Sequence, residues 1–324
     1  MKGTTMGLTQ MVSRRGFLRR SVAVGAGAWA AAGLQAAEQS GGGRSESSPW
    51  TVGIYTRPWD RYDWRVALDA IAEAGFRHAG LMTTTTRSGR LVISAGTTPE
   101  EAQRVADELK QRGLRVPSVY GGGIPVSRSV EAGVAAMRRL IDNCVIVGAA
   151  SLLMGGIGNP KLYKAYYRAI AETCDYAAEK GLPITVKPHG GLNATGSQCR
   201  RCIEMVGHSN FSLWYDPGNI YFYSDGKLDP VDDAATVDGL VKEGMCIKDF
   251  TMSVQDGKTV KDVWVTPGEG MVDFPKVLAR LKQGGFTSGA LVIECVNRGD
   301  GTLPAILREV RKARRYVEQL AAAL

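Results

Sequence analysis

From Trp50 to the C-terminus the chain alternates short apolar runs with longer stretches in which apolar residues recur every three or four positions. The runs read TVGIYT (51–56), FRHAGLM (76–82), LRVPSVY (114–120), ASLLMGG (150–156), LPITVKP (182–188), FSLWYD (211–216), GMCIKD (244–249) and ALVIEC (290–295). Each has the length of a buried strand, and five of the eight carry β-branched residues. Helical spacing fills the intervals. TPEEAQRVADELKQRG opens on Thr98 as a cap and closes on Gly113, and PKLYKAYYRAIAETCDYAAEKG ends at Gly181. TLPAILREVRKARRYVEQL sets Leu303, Ile306, Leu307, Val310, Val317 and Leu320 on one face. Eight strands, each followed by a helix or a long loop, predict an α/β fold of the (β/α)8 TIM-barrel type. An open doubly wound sheet would bring a glycine-rich phosphate turn after its first strand. Here that turn reads TRPWDRYDW, so the barrel is preferred.

The first residues do not share this pattern. SRRGFLRR (13–20) precedes SVAVGAGAWAAAGLQAA, an uncharged run rich in small residues, and then Glu38. A basic region followed by a modestly apolar one describes an export signal, and the paired Arg14–Arg15 with Phe17 and Leu18 resembles the twin-arginine type. The expected organisation is a twin-arginine signal over 1–37, a flexible linker over 38–49 and the barrel over 50–324. The twin-arginine export machinery would be a partner and the periplasm the destination. A signal left uncleaved would instead anchor the chain to the membrane.

Charge looks different once that segment is set aside. The chain carries a formal +8, but Lys2, Arg14, Arg15, Arg19 and Arg20 fall in the signal with no acid beside them, which leaves +3. The basic balance therefore gives no case for nucleic-acid binding. At 44% hydrophobic and 22% charged residues the rest is ordinary for a globular domain with a sizeable core. Six cysteines in a chain of 324 residues do not form a disulfide framework. Cys199 and Cys202 have redox spacing but lie in a predicted helix without a thioredoxin-like pattern around them.

Catalytic groups of a barrel sit at the C-terminal ends of its strands. The polar residues there are Arg57 after the first strand, Lys187 and His189 after the fifth, and Asp216 and Asn219 after the sixth. Lys248 and Asp249 follow the seventh, and Glu294 ends the eighth. Four successive strands ending on charges is an expensive arrangement in a buried place unless the charges meet. Arg57 and the nearby Trp59 suit a sugar, whose apolar face stacks on an aromatic ring while its hydroxyls bond a guanidinium, or Trp59 covers the first helix; Asn219 and Asp249 are further candidates for substrate contact, with capping of the next segment and holding of Lys248 as their respective alternatives. Of the other histidines, His78 lies in the second strand and His208 at a helix end or turn. SVYGGGIP and MGGIGNP are glycine-rich loops without the Lys-Ser/Thr ending of a nucleotide loop.

The segments CDYAAEKGLPITVKPHGG, WYDPGN, CIKDF and PGEGMVDFPKVLARLKQGGFTSGALVIE resemble the sugar phosphate isomerase/epimerase family, whose fold is a xylose-isomerase-like TIM barrel. In that family Glu, Asp, His and Glu from the last four strands hold one divalent cation, often manganese, magnesium or zinc. Asp216 and Glu294 match two of these positions; Lys187 and Cys246 stand where the other two would be. The resemblance implies a divalent metal, for which His189, Asp216 and Glu294 form the expected ligand set, with Cys246 either a soft fourth ligand or a buried thiol. The alternative is that Lys187 and Lys248 supply the positive charge, with Asp216 or Glu294 as base and His189 as acid or shuttle.

The function implied is isomerisation or epimerisation of a non-phosphorylated sugar or keto-sugar by proton transfer beside a carbonyl, with Lys187, His189, Lys248 and Glu294 as catalytic groups. The same enolate could expel a β-substituent, so a lyase acting on 3-keto-glycosides is an alternative. A non-catalytic periplasmic sugar-binding protein is another. The expected partner is a small-molecule carbohydrate, with further copies of the chain in a homo-oligomer.

Overall fold

The computed structural model describes residues 48–86 and 89–324. The proposed signal, and the linker as far as residue 47, lie outside the described residues. Eight strands form one parallel sheet: β1 (Trp50–Tyr55), β2 (Ala79–Gly80), β3 (Val119–Tyr120), β4 (Leu152–Met154), β5 (Ile184–Val186), β6 (Phe211–Tyr215), β7 (Val241–Ile247) and, after an inserted hairpin, β10 (Gly289–Ile293). The hairpin comprises β8 (Thr251–Gln255) and β9 (Lys258–Asp262), paired antiparallel. The sheet runs β2-β1-β10-β7-β6-β5-β4-β3, and isolated parallel bridges His78–Arg115 and Leu81–Val119 join its two edges. The predicted barrel is therefore present. The second and third strands are shorter than their apolar runs suggest, and the hairpin has no counterpart in the pattern reading because its residues are largely exposed.

The helices α1 (Trp64–Glu73), α2 (Pro99–Gln111), α3 (Val130–Ile146), α4 (Tyr163–Glu179), α5 (Gly196–Val206), α6 (Pro217–Tyr223), α7 (Pro230–Ala234), α8 (Phe274–Gln283) and α9 (Leu303–Ala322) follow the strands. Their boundaries obey local chemistry. Thr98 accepts from the Glu101 N–H while the Glu101 side chain accepts from the Thr98 N–H, a complete capping box. On α9 the residues Ile306, Leu307, Val310, Val317 and Leu320 are buried as predicted, with Leu303 partly so.

Strand alternation divides the barrel side chains into two sets. Leu291 and Ile293 of β10, Met245 and Ile247 of β7, Leu213 and Tyr215 of β6 and Ile184 and Val186 of β5 join the large core beneath the helices. The intervening residues fill the barrel axis as a separate cluster: Tyr55, Leu153, Trp214, Cys246, Ala290 and Val292, with Met82. Continuing that inward register by two residues at a time reaches Arg57 from Tyr55, Asp216 from Trp214, Lys248 from Cys246 and Glu294 from Val292. Along β5 it runs Thr185, Lys187. The barrel is thus plugged with apolar and aromatic side chains below and lined with charges at its C-terminal mouth.

Gly244 exposes how tightly that plug is packed. A Cβ there would lie 2.6 Å from the Ala290 carbonyl oxygen and 2.6 Å from the Trp214 ring. Neither neighbour is free to withdraw, so Gly244→Ala is expected to destabilise the fold by roughly 1–3 kcal/mol. A lowered urea midpoint at unchanged m-value would show it, and an unchanged midpoint would refute the tight packing.

Candidate active site

The inward register brings four of the predicted charges into contact. Lys187 Nζ lies 2.5 Å from Glu294 Oε2 and 3.2 Å from Asp216 Oδ2. Lys248 Nζ lies 2.7 Å from Glu294 Oε1 and 3.2 Å from the same Asp216 oxygen. All four side chains are buried, none more than 2% exposed. Arg57 donates to Glu294 Oε1 from the rim, and the Cys246 thiol donates to Glu294 Oε2 at 3.0 Å. Glu294 therefore has donors on both oxygens. Removing one partner of such a buried pair would strand a charge, at a cost of about 3–5 kcal/mol.

These contacts decide the protonation states. Burial alone would raise the Glu294 pKa, but Lys187, Lys248 and Arg57 overcome it and hold the carboxyl well below its ordinary range. Burial likewise disfavours the Lys187 ammonium, yet the Cys246 sulfur and then the Glu294 and Asp216 carboxylates outweigh it and keep the lysine charged, its pKa well above the usual value. Cys246 is a buried thiol whose pKa burial pushes well up.

The other predicted residues divide into two groups. Asn219 and Asp249 are buried but fully engaged. Asn219 donates its amide to the Pro188 carbonyl at 2.6 Å and accepts from Lys248 Nζ at 3.1 Å. Its own N–H caps onto Asp216 Oδ1 at 3.0 Å, which orients the carboxylate. Asp249 accepts the N–H groups of Phe250, Gly268, Gly270 and Val272, four bonds of 2.8–3.0 Å that pin the PGEG loop. Neither is placed for the substrate contact expected of it, because its polar atoms are spent on the scaffold. Trp59 is a third correction: it is 0% exposed and lies in the hydrophobic core under α1. The aromatic face expected at the mouth belongs instead to Trp264, over which the guanidinium carbons of Arg57 and Arg298 lie at 5.3 and 3.7 Å. Sequence spacing offered no route to Trp264, which follows the unforeseen hairpin.

His189 remains at the mouth but leaves the carboxylates. Its ring sits between Tyr120 and Tyr223, with centroids 6.1 Å from each. Gly190 and Gly191, at φ of 86° and 56°, allow the chain to fold back so that His189 N–H bonds the Asn193 carbonyl at 3.0 Å. Asn193, which the sequence reading passed over, bonds the Lys187 carbonyl at 2.8 Å and the Gly155 carbonyl at 3.1 Å. Burial first, then the charges of Lys187 and Lys248, lower the His189 pKa to about 3, so the imidazole is neutral. His78 and His208 lie away from this group: His78 bridges β2 to Arg115, and His208 bonds Asp175 at 3.0 Å.

Together Arg57, Tyr120, Lys187, His189, Trp264 and Glu294 border a cavity of about 240 Å³ at the mouth, with Asp60, Met82, Thr83 and Arg90 completing its wall. A larger cavity of about 760 Å³ lies beside the N-terminal ends of the strands. His78, Lys110, Arg115 and Glu243 are among its lining residues, but it lies at the opposite end from the catalytic face of this fold, so the smaller cavity beside the buried ionic cluster is the candidate site.

The expected metal ligands do not assemble as a triad. Asp216, Cys246 and Glu294 do offer donor atoms within 4.8 Å of one another, the spacing of a possible cation site, but His189 is not among them. Lys187 Nζ occupies that space, within 3.9 Å of the Cys246 sulfur and in contact with both carboxylates. A charged amine there repels a divalent cation, so the residues present do not fit one.

A parallel barrel with a buried ionic cluster at its C-terminal mouth is the architecture of a barrel enzyme. The sequence profile of the xylose isomerase-like TIM barrel matches residues 68–320, and the chain belongs to that family. It is 23% identical over 253 residues to inosose dehydratase of Geobacillus thermodenitrificans, covering 68% of this chain and 82% of that protein. A xylose isomerase-like TIM barrel protein from Mycobacterium smegmatis, solved in complex with magnesium, superposes with a TM-score of 0.66 at 16% identity, over 85% of this chain and 97% of that one. D-psicose 3-epimerase, solved with D-fructose, superposes with a TM-score of 0.63 at 13% identity, over 84% and 99% of the respective chains.

Two outcomes are expected from this geometry. Asp249→Asn turns an acceptor into a donor facing N–H groups and should cost about 2–3 kcal/mol. Faster amide hydrogen exchange at Gly268, Gly270 and Val272 would show the loop loosening, and unchanged exchange would contradict the pinning role. Separately, His189 is neutral when folded and protonates near 6.5 when unfolded. Its contribution to stability is complete above about pH 6.5 and is lost as pH falls from there towards about 3, by up to about 1.4 kcal/mol per unit. Urea midpoints of wild type and His189→Asn, compared between about pH 8 and about pH 5, should converge towards the acid side. Parallel curves would mean that the imidazole titrates normally.

Proposed function

We propose that this protein is a carbohydrate enzyme that moves a proton on a carbon beside a carbonyl, as an isomerase or epimerase of a non-phosphorylated sugar or keto-sugar. The single observation that carries the reading is a charged ammonium, Lys187, and a neutral imidazole, His189, bordering the same small cavity. Loss of a proton next to a carbonyl places negative charge on the carbonyl oxygen, and a fixed, buried ammonium is arranged to stabilise it. Lys248 lies behind Lys187 and shares its carboxylates, so it adds charge without bordering the cavity.

Glu294 is a poor base here, because Lys187, Lys248 and Arg57 hold its carboxyl well below its ordinary range, and Asp216 is bonded to both lysines. Their part is to orient the lysines. His189 takes the proton. Burial first, and then the lysine charges, oppose its protonation at rest; the oxyanion offsets the lysine part as it forms, so its basicity rises as the carbon is deprotonated. Arg57 and Trp264 at the rim, one polar and one an aromatic face, suit sugar hydroxyls and the apolar side of a ring.

The kinship with inosose dehydratase favours a second reading, elimination from the same enolate, which on a 3-keto-glycoside would release the aglycone. Export by the twin-arginine route is part of the proposal, since it would bring a barrel of this family to free sugars rather than sugar phosphates; it rests on Arg14 and Arg15 and the apolar run behind them.

The test is incubation with free ketoses and 3-keto-glucosides in D2O, followed by NMR. Wild type should place deuterium beside the carbonyl, and Lys187→Ala and His189→Ala should each slow this by about 10²-fold or more. An intact carbon skeleton, changed only by the deuterium taken up, identifies an isomerase or epimerase, whereas loss of water or aglycone identifies a lyase. Absence of exchange by wild type across the panel would leave a sugar-binding protein as the better account.

A further inference from the structure

We infer that the Lys187 ammonium stands in the place of a bound divalent cation, so that this chain carries its active-site charge on a fixed side chain and takes up no metal there. The inference concerns cation binding alone and holds whichever reaction the site performs.

Three observations carry it. The donor atoms of Asp216, Cys246 and Glu294 lie within 4.8 Å of one another, close enough to surround one ion. Lys187 Nζ lies 3.2, 3.9 and 2.5 Å from these three side chains, so it fills the position such an ion would take. An ion bonded to the same oxygens would need distances near 2.0–2.6 Å, and the ammonium would have to leave before it entered.

The lone pairs are also committed. Glu294 accepts from Arg57, Lys187, Lys248 and Cys246, and Asp216 from Lys187, Lys248 and the Asn219 N–H. Finally, the charge count is already positive. Arg57, Lys187 and Lys248 face two carboxylates, an excess of one positive charge in a cluster closed to water on its inner side. Adding a divalent ion would triple that excess; an anionic oxygen of a ligand would cancel it.

Titration of the purified protein with Mn²⁺, followed by electron paramagnetic resonance of the free ion, tests this. Wild type should leave the free-ion signal undiminished. The double variant Lys187→Glu/Cys246→His, which exchanges the ammonium and the thiol for an acid and an imidazole, should remove the ion stoichiometrically. Stoichiometric uptake by wild type overturns the inference, and so does a double variant that folds by circular dichroism yet binds no more than wild type. Should the double variant not fold, Lys187→Gln deletes the charge alone. Its Tm should then rise on adding Mn²⁺ while that of wild type stays fixed, and an equal response of the two proteins overturns the inference.

Discussion

The mouth of this barrel depends on one constraint: two carboxylates and two ammonium groups, all closed to water, must neutralise one another. Ions of either sign buried alone would cost several kcal/mol each. Here Asp216 and Glu294 are each shared by Lys187 and Lys248, so no member of the set can leave without stranding another. The surrounding polar residues follow from that demand. Asn219 fixes Asp216 through its N–H and Lys248 through its side chain, and Arg57 caps Glu294 from the rim.

Beneath this layer Tyr55, Leu153, Trp214, Cys246 and Val292 fill the barrel axis, so the charges rest on a largely apolar floor, and Arg57, Lys187 and Glu294 border the small cavity above. A low-dielectric floor strengthens every ionic contact over it, which favours a rigid, pre-oriented ammonium over a mobile solvated one. The PGEG loop, tied by four N–H bonds to Asp249, and the β5 loop, tied by Asn193, hold the rim in register with that floor.

The chain belongs to the xylose isomerase-like TIM barrel family and is similar to proteins named as epimerases and dehydratases. The carbonyl chemistry proposed here needs a fixed positive charge at the developing oxyanion and a neutral base near the carbon. In that proposal Lys187 and His189 are the pair, two residues apart after one strand: the strand delivers the first inward, and Gly190 and Gly191 follow the second at positive φ.

Much of the fold could be read from the chain itself. Eight apolar runs separated by amphipathic helices specify a barrel because strand and helix periods differ, and Thr98, Gly113 and Gly181 mark helix ends by local chemistry. Chain order also put Asp216, Lys248 and Glu294 at the C-terminal ends of their strands, where a barrel keeps its reactive groups. What tertiary structure alone decided is which polar atoms remain free. Trp59, Asn219 and Asp249 stand near strand ends in sequence, yet burial and hydrogen bonding to distant backbone consume them, while Trp264 reaches the cavity through a hairpin with no apolar signature. The sequence likewise showed a lysine and a cysteine at two ligand positions. Only the folded chain placed the amine between two carboxylates and the imidazole outside them, because contact distances between strands are set by packing rather than by order along the chain.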